Sequence, residues 1–184
     1  ENELDALRKK KIMIQPFFVK EEIVDVEKDK DVSGDKAGKL SKYDKQIKML
    51  LDNANGFFKD AKYEEALPFY SALTKEESEL LDVNLLNLRI GECNYNLGRF
   101  KNAVDALDRV SKKSYVDYKW HSEYLKGESY IAMGDYDSGR KTFFTLVAMS
   151  GKCPQDYKNL IEKSYFRIAD SYLEETNKKL GIVE

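Results

Sequence analysis

The sequence predicts an all-α fold: a right-handed solenoid of three helical hairpins and a C-terminal capping helix, preceded by an extended or partly disordered N-terminal segment. Two observations favour this fold. One pattern of small and aromatic residues occurs three times and begins a fourth time, and its opening small residues are 37, 36 and 42 residues apart. From Ser41 onward, apolar residues also recur at steps of three and four, the spacing of an amphipathic helix. Repeats of about this length stack side by side to bury a continuous core.

Each copy of the pattern places a small residue and an aromatic one on a first helix, a Gly or Ala at the turn, and an aromatic, a small and a large residue on a second helix. The three complete copies are Ala54, Phe57, Ala61, Tyr63, Ala66 and Tyr70; Gly91, Tyr95, Gly98, Phe100, Ala103 and Leu107; and Gly127, Tyr130, Gly134, Tyr136, Gly139 and Phe143. Two antiparallel helices can approach closely only where side chains are small, and the aromatics fill the space beside these positions. Ala169 and Tyr172 begin a fourth copy that lacks its second helix.

The first 40 residues differ from the rest and form a separate region, residues 1–40, ahead of a helical domain at residues 41–184. Residues 27–39 alternate in charge, contain two glycines and are predicted to be a flexible linker. Residues 12–19 are apolar but are interrupted by Pro16, which excludes a helix through them. We expect this stretch to dock as an extended peptide onto the helical body, with simple disorder as the alternative. The residues expected to make that contact are Lys9, Lys10, Lys11, Phe17 and Phe18.

The helices follow in order. Ser41 is a predicted N-cap, and the first helix is expected to end near Lys59 and to be followed by a return helix carrying residues 63–73. The second pair is predicted at about 79–97 and 100–112, and the third at about 116–133 and 136–149. Gly98 and Gly134 should end their helices, because a left-handed residue is free of steric cost when it is Gly. A last long helix should run from about Gln155 to beyond Leu173.

The repeated pattern closely resembles that of tetratricopeptide repeats. Within that family, two phrases are similar to bacterial envelope proteins of the outer-membrane assembly lipoprotein and Tol-Pal coordinator kind: residues 127–136, and residues 153–172. The resemblance implies a non-catalytic scaffold for protein–protein interaction that binds a partner segment in a concave groove. It also implies a periplasmic or envelope-associated bacterial protein, with the cytoplasm as the alternative location. Two other functions stay open: a regulatory domain of a larger multidomain protein, and a self-assembling structural protein that forms homo-oligomers.

The resemblance further implies that the inner face of each first helix contacts the partner. The candidate partner-binding residues are Leu51, Asn55, Phe58, Leu88, Glu92, Tyr95, Tyr124, Glu128, Ile131, Phe166 and Asp170. Glu92, Glu128 and Asp170 occupy equivalent places in successive copies and form a predicted acidic row, which would suit a partner that is both basic and apolar. The alternative is that the apolar candidates pack against neighbouring helices and the acids are ordinary surface residues.

Other classes of function lack support in the sequence. The net charge is −2 with acids and bases interspersed, so the basic stripe of a nucleic-acid-binding protein is absent. His121 is the only histidine, which excludes a histidine-based metal cluster or catalytic triad. Residues 134–142 approach a phosphate-binding loop, but Arg140 interrupts the motif and no buried strand precedes it. We therefore expect no enzyme activity and no cofactor. No apolar run approaches the ~20 residues of a membrane span.

Overall fold

The computed structural model describes residues 41–112 and 117–182, and every regular element within them is a helix. The helices are α1 Lys42–Lys59, α2 Tyr63–Leu73, α3 Val83–Asn96, α4 Phe100–Leu107, α5 Tyr118–Ala132, α6 Tyr136–Ala148 and α7 Lys158–Lys179, with short 3₁₀ turns at Ser150–Lys152 and Gln155–Tyr157. The predicted all-α class is confirmed. The expected docking residues Lys9, Lys10, Lys11, Phe17 and Phe18 lie outside the described residues, and their docking stays a prediction.

Each helix packs against the next one in the chain, and α3, α5 and α7 also pack against one another in succession. The connections within the pairs α1–α2, α3–α4 and α5–α6 are only three residues long, so each pair folds back as a hairpin. We call α1, α3, α5 and α7 the first helices. The hairpins stack in sequence, as the repeat pattern predicts.

The turn of each hairpin has a residue in the left-handed region at the same place. These residues are Ala61 with φ 58°, Gly98 with φ 73° and Gly134 with φ 80°. The residue after it donates its amide hydrogen to the carbonyl of the residue five positions earlier, which closes the helix end. In the second hairpin, for example, the Arg99 amide donates to the Asn94 carbonyl at 2.8 Å. The predicted helix ends at Gly98 and Gly134 are confirmed.

The small residues of the pattern lie where two helices meet most closely. A Cβ placed on Gly91 would lie 2.5 Å from Leu107 Cδ2, and one placed on Gly127 would lie 2.7 Å from the Phe143 ring. On the second helix, a Cβ on Gly139 would lie 2.5 Å from Ile131 Cδ1. Non-bonded carbon atoms essentially never approach this closely, so no side chain fits at these positions. The glycines therefore set how closely the helices pack. Ala54 and Ala66 are fully buried at the matching places of the first hairpin.

Helix ends differ from the sequence prediction where a capping side chain is present. Ser41 caps α1 as expected and forms a reciprocal capping box with Asp44. The helix α3 begins at Val83, later than the predicted 79, because the carboxylate of Asp82 accepts from the amides of Asn84 at 2.8 Å and Leu85 at 3.2 Å. A side-chain oxygen in that position fixes a helix start.

The fourth copy consists of a single helix in the described residues, as the sequence indicates. No second helix follows α7 there, so Ala169 is exposed. The equivalent of the turn residues Gly98 and Gly134 is Thr176, and a branched residue is unfavourable in the left-handed region. The helix therefore continues to Lys179, and Gly181, with φ 66°, ends it.

Candidate functional site

Four of the predicted site residues lie at equivalent positions on successive first helices: Asn55 on α1, Glu92 on α3, Glu128 on α5 and Asp170 on α7. Their surroundings differ. The Asn55 side-chain oxygen accepts from the Tyr70 hydroxyl at 2.8 Å. Glu92 is buried, Glu128 is partly buried and Asp170 is exposed. The repeat thus places the four residues in register, and their neighbours decide how much of each reaches solvent.

Glu92 forms a buried cluster with two basic side chains. Its carboxylate lies 3.0 Å from Arg89 Nη1 on the same helix and 3.1 Å from His121 Nε2 on α5. The Arg89 guanidinium also lies 4.5 Å from the centre of the Phe58 ring, a cation–π distance. This cluster therefore links α1, α3 and α5. Burial by itself raises the pKa of Glu92, but His121 and Arg89 together hold that pKa below its usual value.

Glu128 forms the second cluster. Its carboxylate accepts from Arg167 Nε on α7 at 2.8 Å and from the Tyr124 hydroxyl. Arg167 Nη1 also lies 3.0 Å from Glu174 and 3.7 Å from Asp170. Here burial has the larger effect, so the pKa of Glu128 is raised although Arg167 lowers it. This cluster links α5 to α7.

Three basic side chains and two acids of these clusters lie along the first helices, and we call them the ionic row: Arg89, Glu92, His121, Glu128 and Arg167. The sequence predicts an acidic row of Glu92, Glu128 and Asp170. In the structure, the first two of these acids are paired with cations of the same chain, and only Asp170 presents a largely exposed carboxylate, with its side chain 59% exposed.

Several apolar candidates are buried by packing between helices. Phe58 contacts the rings of Tyr63 and Tyr70, and the Tyr124 ring lies 5.6 Å from that of Phe143. The remaining residues in this situation are Leu88 and Ile131, both buried, and Leu51, which is partly buried against the first hairpin's core. These residues agree with the alternative stated above, in which the apolar candidates pack against neighbouring helices. They present little surface to a partner. Tyr95 is half-buried and Phe166 is exposed.

The basic members of the ionic row, Arg89, His121 and Arg167, are absent from the predicted site residues. A signal for two of them was present in the spacing, because Arg89 precedes Glu92 by three residues and Arg167 precedes Asp170 by three. Residues three apart on a helix are neighbours, so the repeated Arg-x-x-acid spacing predicts a paired acid. His121 could not be assigned this way, since its contact with Glu92 crosses from one helix to another.

The described residues contain two cysteines, and both are buried. Burial raises the pKa of the Cys93 thiol to about 12, so this cysteine is a poor nucleophile near neutral pH. Within residues 41–112 and 117–182, no three His, Cys, Asp or Glu side chains come together in a way that could hold a metal ion. None of the helices in these ranges is both long and apolar enough to cross a lipid bilayer.

Comparison with known proteins supports the fold. Residues 86–115 match the model of a tetratricopeptide repeat family. No curated protein sequence matches the chain. Among solved structures, PcrH from Pseudomonas aeruginosa is similar with a TM-score of 0.59 at 16% identity, over 73% of this chain and 96% of PcrH.

Two further structures contain PcrH with a bound segment. PcrH in complex with the chaperone binding region of PopB has a TM-score of 0.57 at 16% identity, covering 70% of this chain and 97% of that one. PcrH in complex with the chaperone binding region of PopD has a TM-score of 0.59 at 16% identity, covering 74% of this chain and 96% of that one. At this identity the likeness concerns the fold alone: the described chain has a fold like that of tetratricopeptide repeat proteins.

Proposed function

We propose that this chain is a non-catalytic scaffold that binds a segment of a partner protein along the surface formed by its first helices. The observation that carries the proposal is the ionic row, which extends from α3 through α5 to α7. A buried ion pair contributes little net stability, since losing the water around two charges offsets most of their attraction. Apolar residues would join these helices equally well. We infer that these ion pairs hold the first helices in register, so that the accessible groups beside the row form one surface.

The likeness to PcrH supports a partner of this kind. PcrH is crystallised with the chaperone binding regions of PopB and PopD, so a protein of similar fold takes up a segment of another protein. Extended repeat proteins commonly use their concave surface for such binding. This chain would use the corresponding surface.

The chemistry of the proposed partner follows from the groups that remain accessible. Asp170 and Glu174 have side chains that are 59% and 45% exposed. The half-buried ring of Tyr95 and the exposed ring of Phe166 add apolar surface. Arg167 is already bound to three carboxylates, so it adds little attraction for an acidic partner. A partner segment with basic and apolar residues fits this arrangement best.

We propose a bacterial cell envelope as the setting, on the strength of the sequence phrases at residues 127–136 and 153–172. Fractionation of the native cells, with an antibody against the chain, tests this point separately from partner binding. Recovery in the periplasmic or membrane fraction would agree with the proposal. Recovery with cytoplasmic marker proteins would contradict the envelope setting and leave the scaffold function standing.

Site-specific crosslinking tests the binding surface. A photoreactive residue at Asn55 or at Tyr95 should capture the partner from native lysate, and mass spectrometry then identifies it. The matched control places the same residue at Lys101 or Asp105, which are exposed on the second helix α4. Capture of the same protein from the α4 positions with equal yield would contradict binding along the first helices.

A further inference from the structure

We propose that the chain's own residues 8–19 dock at the place where the loop between α2 and α3 passes the start of α1. This surface, called here the α2–α3 edge, consists of three exposed apolar side chains and three exposed acids: Tyr43, Leu80 and Val83, with Glu76, Glu77 and Glu79. None of them belongs to the ionic row or to the partner-binding candidates. The inference therefore does not depend on the function proposed above.

Tyr43 holds the loop beside α1. It is the second residue of that helix, and its hydroxyl lies 3.0 Å from Glu76 Oε2 and 3.4 Å from the Glu77 carbonyl oxygen. Both distances are within hydrogen-bond reach. Glu76 and Glu77 lie near the beginning of the loop, which leads to Leu80 and then to Val83, the first residue of α3. The start of α1, the loop and the start of α3 thus form one continuous surface.

The apolar side chains of this edge face solvent. Leu81 packs against the core of the first hairpin and is partly buried, whereas its neighbour Leu80 is 42% exposed. Val83 is 49% exposed and Tyr43 is 42% exposed. Single exposed apolar residues are ordinary, but a group of them rimmed by charged side chains marks an interaction site.

The edge is also strongly acidic. Residues 75–82 include four acids and one lysine, a formal charge of −3, and the side chains of these acids are exposed. Residues 8–19 have the opposite composition: one arginine and three lysines come first, no acid is present, and mainly apolar residues follow. Complementary charges fix the register in which two surfaces meet. The basic end of the segment therefore suits the acids, and its apolar end suits the exposed apolar side chains.

The predicted acidic row is a poorer site for the same segment. The carboxylates of Glu92 and Glu128 lie 3.0 Å from Arg89 Nη1 and 2.8 Å from Arg167 Nε. A lysine of the segment would have to compete with these arginines, and separating a buried ion pair is costly. The α2–α3 edge requires no such exchange, because its acids are exposed.

The connection between the segment and the helical body favours the same place. Residues 20–40 join the segment to Ser41, and Tyr43 follows two residues later. A flexible chain of that length spans roughly 25 Å on average. A site beside Ser41 is within that reach, so the connection gives the segment a high effective concentration there. The exposed acids of α7 lie beyond two further hairpins.

A photoreactive phenylalanine analogue at Phe17 of the full chain tests the location directly. After illumination, mass spectrometry should find position 17 joined to Tyr43 or to a residue within 76–83, in a product with the mass of one chain. Crosslinks to the first helices near Asn55 or Tyr95 would overturn the proposal. A product of two joined chains, or the absence of any crosslink to the helical body, would overturn it as well.

Hydrogen exchange measures the apolar part of the contact. Leu80→Ser with Val83→Ser should lower the protection of the amides of residues 12–19 by at least about tenfold, because apolar area is lost from the site. Met133→Ser with Phe144→Ser is the matched control. These side chains are 43% and 51% exposed, close to the values for Leu80 and Val83, and the change should leave the protection unaltered. Unaltered protection in the first variant, or an equal loss in the control, would overturn the proposal.

Charge reversal measures the acidic part. Glu77→Lys with Glu79→Lys should lower the same protection by at least about threefold and make it less sensitive to added salt. Asp105→Lys with Glu162→Lys changes the net charge equally at exposed positions elsewhere and should have little effect. Equal protection in these two variants would contradict the docking of a basic segment at the edge. None of the variants alters Asn55 or Tyr95, so the test of partner binding succeeds or fails separately.

Discussion

Single small residues decide how closely the helices of this protein approach. Gly91, Gly127 and Gly139 lie where any side chain would overlap a neighbour. Glycine inside a helix lowers stability by about 1 kcal/mol relative to alanine. Glycine is nevertheless present at three such places, so the gain from close helix packing there outweighs this loss of helix stability. Gly56 is different, because nothing lies within 4 Å of the Cβ it would carry.

The pair Gly91 and Gly56 gives a matched test of this interpretation. Gly91→Leu should lower the free energy of unfolding by at least about 1–3 kcal/mol, because Leu107 is buried and has little room to move. Gly56→Leu introduces the same side chain into open space and should raise stability by up to about 1 kcal/mol. Urea denaturation of the two variants measures both changes. Equal stability of the two variants would contradict a close helix contact at Gly91.

Glu92 and Glu128 should make opposite contributions to the pH dependence of stability. Arg89 and His121 hold the folded-state pKa of Glu92 below 4.5, so its stabilising contribution is present above that pH and is lost as the pH falls through the folded-state pKa. Burial raises the pKa of Glu128 above 4.5, so folding is favoured as that group takes up its proton. Arg167, Tyr124 and Glu174 are the groups facing it.

Urea titrations between about pH 6 and about pH 3.5 test this difference. Glu92→Gln should reduce the loss of stability on acidification relative to the wild type, and Glu128→Gln should increase it. Each variant is compared with its own value at the higher pH, so a constant loss of stability does not affect the result. Acid responses that change in the same direction in both variants would contradict the assigned pKa directions.

At the scale of elements, the position of the left-handed residue determines where each first helix ends. Ala61, Gly98 and Gly134 adopt the left-handed conformation and end α1, α3 and α5. Thr176 holds the same place in α7, and that helix continues. Gly181, five residues further on, adopts the left-handed conformation and ends α7.

Ala61 is the only non-glycine residue with positive φ in the described part of the chain, and it is a site where stability can be gained. Ala61→Gly should raise the free energy of unfolding by up to about 1 kcal/mol, because glycine adopts φ 58° without a Cβ clash. Gly98→Ala is the reverse change at the equivalent turn and should lower it by about 1–2 kcal/mol. Thermal melting of both variants is the measurement. Stabilisation by Gly98→Ala would contradict the assignment of the turn.

At the scale of the whole molecule, the hairpins and their order could be predicted from the sequence, since they depend on local spacing. Gly91 lies at a close helix contact, and Gly98 and Gly134 end their helices, as their positions in the pattern predict. The contact of His121 with Glu92 could not be predicted, because it depends on the distance and angle between two helices. Spacing thus identifies the interfaces, while the pairing of charges across them requires the structure.

The docking of residues 12–19 onto the helical body is a prediction that concerns the full chain. Its lysines and apolar residues complement a surface that carries accessible acids, and burial of Phe17 and Phe18 would contribute roughly 1.5–3 kcal/mol each. We expect the amides of residues 12–19 to be protected from hydrogen exchange in the full chain. Phe17→Ala with Phe18→Ala should remove that protection. Ile23→Ala with Val24→Ala, outside the segment, is the matched control. Unprotected wild-type amides would contradict the docking.

Packing between neighbours along the chain also has a kinetic consequence. Because the described helices contact mainly the next one or two along the sequence, the loops closed on folding are short and the contact order is low. Such a chain can nucleate at any hairpin and propagate in both directions. The end helices can then open while the centre stays folded, so unfolding need not be a single cooperative step. Proteases should therefore cut first within α1 or α7 and last within α3 to α5.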